Sequence, residues 1–350
     1  MRPLVCIFAL IFLTLSFDFP AHAQNANAAH IFCSNRDGDY DVYLRDASGT
    51  LTNLTNNTVD DITPTLSPDG KRIAFARDTS GDSTYQIFVL DLTTRATRQL
   101  TASDSVFALY PSWSPDSSRV AYTAINLFAA LFGSNNVSDI RIVTAPSDGS
   151  TPQNYAVTTE APDQVAPAWS PDGARIAYMQ GSLLDPSTNP FKIFTLAVNQ
   201  TGTRTAPPIQ QTFGTSLDIT PAWSPDSSQL VFSSNSQEAN FELYLLTPRT
   251  ASSGQGVASR LTFFANDDVL PAWSRDGSQI VFTNGDASQY IETGIETPDP
   301  PPGDNYVISS QGGTPVALST NTASDDNDAE LLPSSSTRKT RTFSSRSRRR

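Results

Sequence analysis

Carboxylates recur in this chain at one place in a repeating pattern, a few residues before an apolar segment. They are Asp60 and Asp61, Asp163, Asp218, Asp267 and Asp268, and near the end Asp328 and Glu330. One copy of the pattern departs, with Ala108 and Leu109 in place of an acid. Acidic side chains gathered by a fold can attract a cation, a basic segment of a protein or its amino terminus. Oxygen donors in sufficient number hold Ca²⁺, and Asp61, Asp218 and Asp268 are the candidate metal ligands. A pair of carboxyl groups about 5 to 10 Å apart could cleave a glycosidic bond, although nothing in the spacing singles one out. Each Asp could instead cap its own turn or accept from a neighbouring backbone amide. The candidate binding set is Asp61, Asp163, Asp218, Asp268 and Glu330, and no residue stands out as catalytic.

Other chemistries lack their parts. A serine hydrolase needs a nucleophile elbow and a histidine, and no Gly-x-Ser-x-Gly occurs. Once a leader is removed, His30 is the one histidine, too few for a His-rich zinc site or a Ser-His-Asp arrangement.

The elements that must position the acids are set by a repeat. Pro-x-Trp-Ser-Pro-Asp-Gly, followed by an apolar triplet, appears from Pro64, Pro111, Pro167, Pro221 and Pro271, at spacings of 47, 56, 54 and 50 residues. Such periods belong to propellers and solenoids. Ser-Pro-Asp-Gly fits a type I turn position by position, which makes it a hairpin tip between the Trp-containing strand and the Ile-Ala-Phe strand. A third alternating strand follows, as at Gln86 to Leu90 or Glu242 to Leu246, and a short fourth ends in an apolar residue and Thr, as at Leu100-Thr101. Four antiparallel strands per repeat make a propeller blade. Trp113, Trp169, Trp223 and Trp273 sit at equivalent positions and are expected to pack between neighbouring blades. The turn acids Asp69, Asp116, Asp172, Asp226 and Asp276 are accounted for by the turn itself.

The fold class expected is all-β, a six-bladed propeller of four-stranded antiparallel blades. The first sheet begins at His30-Ile31-Phe32-Cys33 without its innermost strand. A segment near Glu330 to Ser336, aligned with Ser335 where Trp belongs, is expected to return and pair with Ile31 to Ser34, leaving no long open edge. Because strand direction alternates, the repeat turns lie on one face. The insertions Ala124 to Ser138, Gly181 to Pro190 and Asp286 to Asp304 lie on the other, where the acids would converge on the channel mouth. The first of these contains the apolar run Leu127 to Phe132, which either folds back or forms a sticky patch.

Residues 1–23 have the layout of a secretory signal: Arg2, an apolar run from Leu4 to Phe17, and Ala21-His22-Ala23. The expected organisation is therefore a signal peptide at 1–23, a propeller at 24–335 and a basic tail at 336–350. No later apolar run approaches a membrane span. Cys33 would be a lone buried thiol. Of the formal net charge of −12, Arg338 to Arg350 contributes seven bases and no acid, leaving −19 for the rest. That balance argues against nucleic acid or an anionic membrane as partner.

The repeat Pro-x-Trp-Ser-Pro-Asp-Gly-x-x-Ile-Ala-Phe, with its Ile-Tyr-Val-type strand and Leu-Thr ending, resembles the TolB-like, WD40-like propeller family over residues 30 to 335. The resemblance implies a six-bladed propeller in the periplasm or outside the cell. It differs in that the blades begin almost directly after the expected cleavage site, without the α/β domain that precedes them in TolB. The function expected is an extracytoplasmic protein-interaction module, monomeric, with its ligand on the long-loop face. The alternative is a carbohydrate-active or Ca²⁺-dependent enzyme on the same ring.

Overall fold

The computed structural model describes residues 29–332, apart from 80–83, 104–105, 127–128, 130–131, 133, 135, 238–239, 251–255, 286–302 and 319–325. The leader, the basic tail, and most of Leu127 to Phe132 and of Asp286 to Asp304 lie outside the described residues, as do Pro333 and Ser335. Among the described residues, twenty-four strands form six four-stranded antiparallel sheets. Blade 1 contains β1 (His30–Ser34), β2 (Asp41–Arg45) and β3 (Leu51–Asn53). Blade 2 is β4 (Asp61–Leu66), β5 (Arg72–Asp78), β6 (Tyr85–Asp91) and β7 (Thr97–Gln99). Blade 3 is β8 (Val106–Trp113), β9 (Arg119–Asn126), β10 (Ser138–Thr144) and β11 (Asn154–Ala156). Blade 4 is β12 (Asp163–Trp169), β13 (Arg175–Gly181), β14 (Lys192–Ala197) and β15 (Ile209–Gln210). Blade 5 is β16 (Asp218–Trp223), β17 (Leu230–Ser234), β18 (Glu242–Thr247) and β19 (Val257–Arg260). Blade 6 is β20 (Asp267–Trp273), β21 (Gln279–Gly285), β22 (Gly303–Ser309) and β23 (Val316–Ala317).

The last strand, β24 (Asp326–Leu331), supplies the missing inner strand of blade 1, pairing His30 with Leu331 and Ile31 with Glu330. Ring closure by the two chain ends is thus as the sequence suggests, but in a different register. Ala329-Glu330-Leu331 occupies the Pro-x-Trp position, not Pro333-Ser334-Ser335, because Leu331 fills the apolar slot that Leu66 fills in blade 2.

Each repeat turn is self-satisfied. The fourth residue donates to the carbonyl of the Ser, as in Gly70 to Ser67 at 2.7 Å and Gly277 to Ser274 at 2.9 Å. The Ser hydroxyl donates to the turn Asp (2.6 Å for Ser170 to Asp172) and accepts the amide that opens the next strand (2.9 Å from Arg175). Partial burial works against ionisation most strongly at Asp69 and Asp116, yet these bonds hold the Asp69, Asp116, Asp226 and Asp276 carboxyls below the usual range. The Thr that ends the short fourth strand has an equally plain task. Its hydroxyl accepts the amide of the third strand, Ile87 on Thr101 at 2.9 Å, Ile140 on Thr158 at 2.8 Å and Leu243 on Thr262 at 2.9 Å.

Hydrophobic burial lies between blades as much as within them. Ala121, Ile140 and Ile142 of blade 3 pack with Trp169, Ile176 and Tyr178 of blade 4, and Phe32, Tyr43 and Leu331 of blade 1 pack with Val281 and Val307 of blade 6. Trp113 and Trp223 donate across the gap to the carbonyls of Thr65 and Ala168, each at 3.1 Å. Guanidiniums cover both rings, Arg72 at 4.8 Å and Arg175 at 4.2 Å, which joins blade 2 to 3 and blade 4 to 5.

Candidate functional site

Every inner strand that carries the repeat is bent at the residue before its proline. Thr63, Tyr110, Ala166, Thr220 and Leu270 all have φ between 50° and 54°, a left-handed conformation that costs a non-glycine residue about 1–2 kcal/mol. Each lies in a bulge: in β4, Ile62 faces Ala76 and Thr65 faces Ala74, so Thr63 and Pro64 together stand opposite Phe75. The proline has no amide to leave unpaired there. The acids precede the bulge in each strand, whereas the residues that line the channel run from the bulge towards the turn.

The acids fall into two groups, each used inside the ring. Asp163 and its equivalents Asp60 and Asp267 cap the start of the preceding blade's third strand. Asp163 accepts the amides of Val137 (2.5 Å), Ser138 (3.1 Å) and Leu183 (2.9 Å). Asp60 accepts that of Tyr40 at 2.8 Å and Asp267 that of Phe241 at 2.7 Å. Asp61, Asp218 and Asp268 instead bond to their cross-strand neighbours Arg77, Ser234 and Asn284. Arg77 grips Asp61 with two bonds of 2.6 and 2.7 Å, Ser234 donates to Asp218 at 2.6 Å, and Asn284 donates to Asp268 at 2.7 Å. Lys192 of blade 4 adds a 2.9 Å ion pair to Asp218 of blade 5.

Asp61, Asp163, Asp218 and Asp268 are 0–2% exposed. They do not present a calcium donor set. Asp61 and Asp218 already hold a protein cation, burial raises the Asp268 carboxyl and so disfavours its charged form, and the three belong to different blades. Among the described residues, no group of three or more His, Cys, Asp or Glu is placed to bind a metal.

Burial pushes the Asp61 carboxyl up despite Arg77. It pushes Asp268 up to about 8, with the nearby Glu242 carboxylate, itself paired to Arg260 at 2.7 Å, adding to the rise. An acid whose folded pKa lies above its unfolded value of 3.8 binds a proton more tightly when folded, so its contribution to stability is lost as pH rises from about 4 through 8. Replacing Asp268 by Asn should therefore stabilise the protein by about 1–3 kcal/mol at pH 9 and leave it little changed at pH 4. Urea unfolding at the two pH values measures this, and a destabilised variant at pH 9 would refute it.

What does line the channel is a cavity of about 550 Å³ walled by all six inner strands on the turn side of the bulges. Pro64, Pro111, Pro167, Pro221 and Pro271 contribute to its wall, with Trp113, Trp169, Trp223 and Trp273 and the turn prolines Pro68, Pro115, Pro171 and Pro225. Two of its lining residues are charged, Arg275 and Glu330. Of the five expected binding residues, Glu330 alone belongs to this wall. Its Oε2 accepts the Leu66 amide at 2.6 Å, and burial pushes its carboxyl up to about 7. Arg275 was not among the sequence candidates. Its signal was present, because Ser274-Arg275-Asp276-Gly277 is the one copy of the turn with a base where the others have Pro.

Comparison with known proteins agrees with this architecture. Residues 127–290 match the family model described as the TolB beta propeller domain. The Tol-Pal system protein TolB of Francisella tularensis is 28% identical over 153 residues, 43% of this chain and 32% of that protein. The chain thus spans about a third of the length of the curated relatives it matches first. Among solved structures, TolB from Acinetobacter baumannii superposes with a TM-score of 0.63 at 16% identity, covering 87% of this chain and 67% of that one. An oligogalacturonate lyase in complex with manganese superposes with a TM-score of 0.53 at 18% identity, covering 83% and 74%. At those identities the superpositions speak to fold alone.

Proposed function

We propose that this chain, which carries a six-bladed propeller of the TolB type, is an extracytoplasmic protein-interaction module whose partner, a protein of the cell envelope, docks at the turn-side mouth of the central channel. The cavity is the observation that carries this reading. Its size falls within the roughly 300–1,000 Å³ of ligand sites, and its wall combines a ring of prolines and tryptophans with hydroxyl groups and the charged Glu330 and Arg275. The leader-like sequence at 1–23 and the relatives named as Tol-Pal system proteins support an envelope location. An enzymatic reading needs two carboxyl groups about 5–10 Å apart on an accessible surface. One carboxylate, Glu330, lines the cavity, and the Asp268 and Glu242 side chains are 0% and 1% exposed.

The test is affinity capture from envelope extract, identified by mass spectrometry and repeated with chelator, comparing the native protein with Ala222→Arg, which fills the cavity from one wall. A specific partner should be held by the native protein, with or without chelator, and lost at least tenfold by the variant. Capture that survives Ala222→Arg but disappears when Ser182 to Pro190 is replaced by a short linker would place docking on the long-loop face instead.

A further inference from the structure

The cavity departs from repeat symmetry at two places, and both departures are charged. At the residue between Pro and Trp the other blades carry Thr65, Ser112, Ala168, Ala222 and Ala272, all small or short, where β24 carries Glu330. At the second turn residue, Arg275 replaces the proline of the four other copies. The two departures are on blades 6 and 1, which adjoin in the closed ring. Arg275 is exposed at the turn and marks the rim, whereas Glu330 sits on the wall formed by the inner strands and is partly buried there.

Resting on the docking role given above, we propose that the cavity admits a single lysine side chain of the partner, its ammonium meeting Glu330 and its methylene stem lying along the proline and tryptophan walls. A carboxylate can accept several donors, and the Leu66 amide and the Thr65 hydroxyl take two of the positions on Glu330. Lysine fits because its stem is apolar and its charge is at the tip. The Arg275 guanidinium at the rim repels a second cation, so the recognised segment carries its lysine among neutral or acidic residues rather than in a basic run.

The probes are two peptides, acetyl-Ala-Lys-Ala-amide and the same peptide with norleucine for Lys, bound to the full chain and followed by tryptophan fluorescence, since four tryptophans line the cavity. The lysine peptide should bind at least tenfold tighter. Glu330→Gln, whose amide oxygen can still accept the Leu66 amide, should erase the difference. Arg275→Ala should improve binding of acetyl-Lys-Lys-Lys-amide by about threefold or more. With a carboxyl at about 7, and with Arg275 as the other charged and Tyr110 as a further titratable lining residue, lysine affinity should rise roughly tenfold from pH 6 to pH 8 while norleucine affinity stays level. This pH profile is read on the native protein and so decides the matter even if Glu330→Gln folds poorly. Equal affinity for the two peptides, no binding of either, or a preference that persists in Glu330→Gln overturns the assignment. Partner capture that is still lost in Ala222→Arg would leave the docking role standing without it.

Discussion

A chain ended after residue 325 should lose cooperative folding or at least about 5 kcal/mol of stability, while one ended after residue 335 should unfold at the same urea concentration as the full chain. The shorter form lacks β24 and therefore the inner strand of blade 1. Residues His30 to Ser34 are each 0–1% exposed, and β24 pairs with them along one edge. Without β24 that edge loses its ladder partners, and Phe32, Tyr43, Val281 and Val307 lose Leu331 and Ala329 from their shared cluster. Each unmatched buried amide or carbonyl costs about 1–3 kcal/mol, and each large apolar side chain returned to water about 1.5–3 kcal/mol. The exposed edge also invites pairing with another chain, so light scattering should rise with the truncation. Equal unfolding midpoints for the two truncated forms would show that ring closure contributes nothing.

Trp223→Ala should destabilise the protein by about 3–5 kcal/mol, the range for removing a large aromatic from a packed interior. Trp223 is 6% exposed, bonds across blades to the Ala168 carbonyl at 3.1 Å and lies beneath Arg175. Phenylalanine substitutions separate the terms. Trp223→Phe leaves the Ala168 carbonyl without its donor and should cost about 1 kcal/mol more than Trp169→Phe, since the Trp169 Nε1 has no hydrogen-bond partner among the described residues. Chemical denaturation of the three variants measures the differences, and equal losses for the two Phe variants would remove the interblade bond from the account.

Much of the ring is legible in local pattern. Ser-Pro-Asp-Gly closes its own hydrogen bonds within a few residues, so the turn and the two strands it joins follow from the local sequence alone. Five copies of the turn account for five blades, and the incomplete first sheet, which calls for a returning strand, makes the sixth. The register of that strand was not legible. Pro333-Ser334-Ser335 looks more like the repeat than Ala329-Glu330-Leu331 does, yet the deciding factor is which side chain enters the slot between blades 6 and 1, and Leu331 can do so where a serine cannot hold an apolar pocket.

The acids show the same division. Their recurrence was visible in the residue order, and so was their placement just before the inner strands. Their use was decided by their place before the bulge at Thr63, Tyr110, Ala166, Thr220 and Leu270, and by partners contributed from other segments: Arg77 for Asp61, Lys192 for Asp218 and the Val137 amide for Asp163. Sequence by itself determined the repeating unit, the blade count and the closing of the ring, because each of these rests on contacts a few residues long or on simple strand counting. Tertiary structure alone decided that four of the five acids serve the blades and that Glu330 meets the channel, because a carboxylate's role depends on which donors surround it, and those donors come from distant parts of the chain.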